Sequence, residues 1–148
     1  MPIGIWRIKP INLSESLPRG SAVLFCPPDN NLFRRAKAVG ILHEGRCKGS
    51  YTPLLKEVVG VPGDLIDYSG SLFVNGRAIP HSKVLAIGFS NFEPGERWSL
   101  VVPEGEVWLM GTSSFLSFDG RYFGLIDRDN ILGIAHPIFF ETFYSREL

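Results

Sequence analysis

The sequence predicts a mostly β, loop-rich domain interrupted by one short helix. Apolar residues fall in many short runs, such as Ser21-Ala22-Val23-Leu24-Phe25 and Glu106-Val107-Trp108-Leu109-Met110. Sixteen glycines and eleven prolines punctuate those runs, the pattern of short strands joined by turns. With 148 residues, the chain is sized for one domain that buries roughly 68–70% of its unfolded surface.

Charge and hydropathy exclude several classes. Fifteen basic residues balance fifteen acidic ones, and the pI is about 6.8, so the basic footprint of a nucleic-acid binder is missing. No apolar run approaches the ~20 residues of a membrane-spanning helix. The opening residues lack the charged and apolar regions of a signal peptide. Neither repeats nor low-complexity segments occur.

Taken in order, Met1 to Ile8 reads as a strand, with Ile3, Ile5 and Trp6 available for burial. Leu13 to Gly20 is a polar loop. Residues 21–25 form the next strand, ended by Cys26-Pro27-Pro28. Asp29 is placed to cap a short helix over Asn30–Val39, with Leu32, Phe33 and Ala36 on its inner side and Gly40 as terminator. Arg34, Arg35 and Lys37 cover the wet face of this insert, which spans residues 29–40. Cys26 and Cys47 bracket it. In a reducing cell they are two thiols; in an oxidising compartment they are placed to bond. His43 and Cys47 lack the second pair that a metal site needs, and His81 and His136 read as ordinary surface or edge residues.

Leu54 to Val59 is an apolar strand holding a lysine, Lys56. It stops at a Gly60-x-Pro62-Gly63-Asp64 turn, where Pro62 fixes one φ and Gly63 supplies the positive φ of a tight turn. Two readings of Lys56 follow. On a solvent face it simply alternates with buried Leu55. Buried, it loses stability as an ammonium, its pKa falls, and it becomes a general base near neutral pH. Beyond the turn come Leu65–Tyr68, a Ser69-Gly70-Ser71 turn, and Leu72–Val74 ending on Asn75-Gly76, a strong hairpin signal. Residues 81–96 are the least regular stretch and read as a loop excursion. Trp98–Val102 and Glu106–Met110, joined by Pro103-Glu104-Gly105, read as another hairpin. Gly111 to Gly120 is a polar loop holding Ser113, Ser114, Ser117 and Asp119. Tyr122–Ile126 and Ile131–Phe140 read as closing strands, and Thr142–Leu148 as a frayed tail.

Four features together carry a resemblance: Met1-Pro2 at the start, Lys56-x-x-x-Gly60-x-Pro62-Gly63-Asp64, Val74-Asn75-Gly76, and Gly111-x5-Ser117-x-Asp119-x-Arg121. Their order resembles the type I signal peptidases, and within them the conjugal-transfer (TraF-type) branch, over nearly the whole chain. The branch is indicated by Met1-Pro2-Ile3-Gly4, Pro53-Leu54-Leu55-Lys56 and the cysteine-bracketed insert. The resemblance implies coiled antiparallel sheets of the fold shared with the LexA-like repressors. It implies a serine endopeptidase with a Ser–Lys dyad, one of the convergent variants of the serine-protease arrangement. Lys56 matches the general base, and Ser117 matches the hydroxyl that orients it. Asp119 and Arg121 match an ion pair beneath the Ser117 loop. Leu54 and Leu55 match the strand lining the substrate pockets, and Met1 and Ile5 match pocket walls. No cofactor and no metal are implied.

In that family the nucleophilic serine directly precedes the position of Met1. The oxyanion-hole hydroxyl lies two residues earlier, and a membrane anchor earlier still. The 148 residues are therefore expected to hold base and cleft without the nucleophile, as a truncation or a late start would leave them. The implied setting is the inner membrane with the catalytic domain on the periplasmic side, which predicts a Cys26–Cys47 disulfide. The implied partner is an extended peptide, an exported precursor or a conjugative pilin; nucleic acid is not one. A binding module that captures peptides as an added strand on the same scaffold is the alternative. A LexA-like repressor is a weaker third option, since it needs a cleavage-site segment and a DNA-binding domain.

Overall fold

The structure, a computed structural model, describes residues 4–12, 14–85, 90–93, 95–114 and 116–140. In chain order its elements are β1 (Gly4–Pro10), β2 (Ala22–Phe25), α1 (Asn31–Ala38), β3 (Leu54–Gly60), β4 (Leu65–Tyr68), β5 (Leu72–Val74), β6 (Arg77–Ala78), β7 (Trp98–Val101), β8 (Glu106–Met110), α2 (Gly120–Phe123), β9 (Ile126–Asp127) and β10 (Ile131–Phe140). They form two sheets, β1-β10-β2-β3-β8-β9 and β6-β5-β4-β7, with antiparallel pairing throughout. Among the described residues no helix is long and apolar enough to cross a membrane.

β3 and β8 sit at the centre because both their faces are covered. Successive side chains of a strand point to opposite faces. Val58, Val107 and Leu109 join one core with Val23, Phe25, Phe33 and Ala36. Their neighbours Val59, Trp108 and Met110 join a second core with Ile66, Leu72 and Tyr122. Two-sided burial explains why Val58-Val59 and Val107–Met110 read as unbroken apolar runs. The first core is roofed by α1 and the second by the smaller sheet.

Local expectations meet mixed outcomes. Asn75 and Gly76 both have positive φ, 51° and 79°, as the β5–β6 hairpin turn requires. The hairpin expected from Trp98–Val102 and Glu106–Met110 does not form. β7 pairs with β4, β8 pairs with β3, and the Pro103-Glu104-Gly105 turn carries the chain from one sheet to the other. Tyr122 and Phe123, expected in a strand, lie in α2, capped by the Asp119 side chain. The cap of α1 is Asn30, whose Oδ1 accepts from Phe33 N at 3.1 Å. Asp29 is drawn away instead by Arg34 and the Tyr51 hydroxyl. Ile5 is 61% exposed: with a register shift between Ile5 and Trp6, the alternation of β1 turns Trp6 and Ile8 inward. Met1, Ile3 and the 142–148 tail lie outside the described residues.

Cys26 and Cys47 are joined by a disulfide, with Cα atoms 5.6 Å apart. It ties the end of β2 to the far side of the insert across 21 residues. Reduction is expected to cost about 3 kcal/mol on the chain-entropy account. That corresponds to a melting temperature lower by roughly 6–12 °C, read by thermal denaturation with and without reductant. An unchanged melting temperature would remove the staple from the stability of the fold.

Candidate active site

Lys56 stands on β3 opposite Val23 of β2, on the strand face that carries Val58 into the first core. Its Nζ donates to Ser117 Oγ at 2.6 Å. Burial pushes the amine's pKa below the usual lysine range; the charge of Asp119 opposes the shift, and that of Arg121 adds to it. Among the described residues no carboxylate lies within ion-pair distance of Lys56. The two carboxylates nearest in sequence are engaged elsewhere. Glu57 accepts from the Thr112 hydroxyl at 2.6 Å. Asp64 is clamped by Arg19 Nε at 2.6 Å, Asn75 Nδ2 at 3.0 Å and the Val61 N–H at 2.9 Å. Partial burial without a carboxylate in ion-pair range therefore disfavours the ammonium form of Lys56.

The loop after β8 delivers Ser117, and Asp119 ties that loop at both ends. Its carboxylate accepts from Gly111 N at 2.9 Å, from Arg121 N at 3.1 Å, and from Arg121 Nε and Nη2 at 2.8 Å each. Arg121 in turn donates to the carbonyls of Ser117 at 3.1 Å and Ser114 at 3.3 Å. Both side chains are fully buried. The structure thus brings Lys56, Ser117, Asp119 and Arg121 into one cluster.

Gly111 is the residue this cluster has least room to change. A Cβ there would run into Ser117 Oγ, lie 2.8 Å from Ser117 Cβ, and come within 3.7 Å of Lys56 Nζ. Gly111→Ala is therefore expected to displace Ser117 and break its contact with Lys56. The check is loss of the depressed Lys56 titration, followed by NMR of the lysine Cε; an unchanged titration would show that the loop yields elsewhere. Its place in the motif marks Gly111 in the sequence, but the steric reason appears only in three dimensions.

The strand beside Lys56 has a free edge. β8 pairs with β3 only from Glu57 onward, so on that side residues 54–56 meet no strand among the described residues. Val58 N and O bond toward Ser21 and Gly20, the β2 side. Alternation then turns the backbone groups of Lys56 and Leu54 to β2, and the N–H and C=O of Leu55 to the open edge. Leu54 packs against the first core. Ile5 is not brought to Lys56 by the sheet, since β10 and β2 intervene between β1 and β3. Met1 lies outside the described residues.

The family model "Signal peptidase, peptidase S26" matches residues 3–140. The conjugal transfer protein TraF of Agrobacterium fabrum is 34% identical over 139 residues, covering 93% of this chain and 77% of the relative. A plasmid transfer protein TraF of Escherichia coli is 33% identical over 143 residues, with the same shares covered. Signal peptidase I V of Bacillus subtilis is 28% identical over 141 residues, covering 87% of this chain and 81% of the relative.

Proposed function

The chain belongs to the signal peptidase family, peptidase S26, and on that premise we propose that it is the catalytic domain of a Ser–Lys endopeptidase acting in conjugal transfer. Its substrate is an exported precursor, such as a pilin precursor, presented as an extended segment. The observation that carries the reading is the partly buried Lys56 amine on the Ser117 hydroxyl, with no carboxylate in ion-pair range among the described residues. A neutral lysine takes the proton of an attacking serine hydroxyl as the oxygen bonds to the scissile carbonyl. It then gives that proton to the leaving amine as the peptide bond breaks. A water, deprotonated by the same lysine, releases the acyl group. Ser117 orients the amine between these steps, and Asp119 with Arg121 holds the Ser117 loop.

The open edge at Leu55 supports docking of the substrate as an added strand, with backbone bonds giving affinity and side-chain pockets giving selectivity. In this reading Leu54 and Leu55, on the strand that carries Lys56, line those pockets, and Ile5, on β1 with two strands between, does not. The family pattern assigns the attacking serine to the residue ahead of Met1 and the anchor further upstream. The domain then works on the periplasmic side of the inner membrane, in keeping with its disulfide.

The test compares the chain beginning at Met1 with one preceded by a Ser-x-Ser lead-in and anchor, in detergent, on a precursor with small residues before the cut. Turnover is expected from the longer chain alone. Turnover by the shorter chain would overturn the placement of the nucleophile. Peptide binding without turnover by the longer chain would favour the strand-capturing module.

A further inference from the structure

We propose that residues 81–85 and 90–91 of the excursion after β6 are a working part of the catalytic centre, with Tyr122 as the positioning residue that holds them against Arg121 and so sets Ser117 on Lys56. The inference rests on Lys56 being the base, and its readout is chosen to stand without turnover.

Consecutive residues of α2 grip the excursion. Arg121 Nη1 donates to the carbonyls of His81 at 2.7 Å and Lys83 at 3.2 Å. The Tyr122 hydroxyl accepts from Leu85 N at 3.0 Å. Farther along, the Tyr122 carbonyl accepts from Asn91 N at 2.8 Å and from Ser90 Oγ at 3.4 Å. Asn91 Nδ2 donates to the Phe123 carbonyl at 3.0 Å. Arg121 is thus shared between two carbonyls of the excursion and two of the Ser117 loop. Arg121 is buried without water access and also bonded to Asp119, so weakening the hold of the first pair on Nη1 favours a shift of the guanidinium against the Ser117 loop. Any such movement is transmitted to Ser117 and the 2.6 Å contact with Lys56. His81 points the same way. Its φ of +54° is a left-handed conformation uncommon outside glycine, and its carbonyl is held there by Arg121. The charged groups acting on Lys56 are Asp119 and Arg121, so the clasp ends on one of the two.

Tyr122→Phe removes only the hydroxyl that the Leu85 N–H needs, leaving the buried ring. The Lys56 titration, followed by NMR of its Cε, is expected to move up by about half a pH unit or more as water reaches the amine. In the chain extended upstream, kcat should fall roughly five- to tenfold with KM unchanged, and the acid limb of the pH–rate profile should move in the same direction. Asn91→Ala, at an exposed position, serves as a second variant with the same expected direction. A Lys56 titration that superimposes on the parent's in both variants overturns the proposal. A shifted titration in a chain without turnover upholds the coupling and sinks the peptidase reading instead.

Discussion

In the chain extended upstream, Lys56→Met is expected to abolish turnover while leaving the protein at least as stable as the parent. A positioned general base contributes roughly 10²–10⁴-fold. Here it serves both halves of the reaction, so the loss should reach the upper end of that range. The stability half follows from the direction of the pKa shift. Lys56 titrates below its ordinary value of 10.5 in the folded protein because burial disfavours the ammonium. The unfolded chain keeps the ordinary value and holds the proton more tightly. Lys56 therefore destabilises the fold most at low pH, and the penalty fades as pH rises from the folded pKa toward about 10.5. Methionine fills similar volume without the charge. Its variant should melt higher than the parent near neutrality, with the gap closing as pH rises. A parent that is the more stable of the two at neutral pH would show that Lys56 is well solvated.

Asp119→Ala is expected to be the most destabilising single change in the cluster. It removes the α2 cap, the acceptor for Gly111 N–H and the partner of Arg121 together. Breaking a buried pair from one side leaves the other charge uncompensated, at a cost of about 3–5 kcal/mol. The melting temperature should fall by roughly 6–20 °C. The double variant Asp119→Ala/Arg121→Met removes the stranded charge and should recover part of the loss, giving a non-additive cycle. Additive losses would show that the two side chains act independently.

Much of the larger sheet is legible because its signals are local. Val58-Val59 and Val107 to Met110 are apolar on both faces, and Asn75-Gly76 supplies the two left-handed residues its turn needs. The β7–β8 error has a physical cause. Pro103-Glu104-Gly105 is a sound turn, but a turn reports only that the chain bends and not which neighbour each strand bonds. Here the Val102 N–H reaches the Asp64 carbonyl, and the Val102 carbonyl accepts from Gly63 N–H. Those contacts hand the chain to a different sheet. The α1 cap slipped by one residue because Asp29 and Asn30 are near-equal caps in isolation, and only tertiary partners claim Asp29. At the candidate site, the residues that share one motif could be picked out together. The steric need for Gly111, the Thr112–Glu57 bond and the grip of Tyr122 on Leu85 could not, because each depends on which distant backbone lies alongside.

The pairing of the first strand with the last has a consequence for the order of assembly. β1 bonds along β10 from Gly4↔Phe140 to Pro10↔Gly133. A ribosome adding ~5–20 residues per second delivers β10 roughly 6–25 s after β1. For that interval β1 has no strand to join and β2 exposes one edge, since β10 is the neighbour of both. Contacts this distant in sequence also slow the final closure. Cys26 and Cys47 leave the ribosome much earlier, so in an oxidising compartment the insert is stapled before the sheet is complete. Refolding with the disulfide intact is therefore expected to be rate-limited by docking of the two chain ends, and cutting the chain ahead of β10 should leave a stapled but unclosed domain.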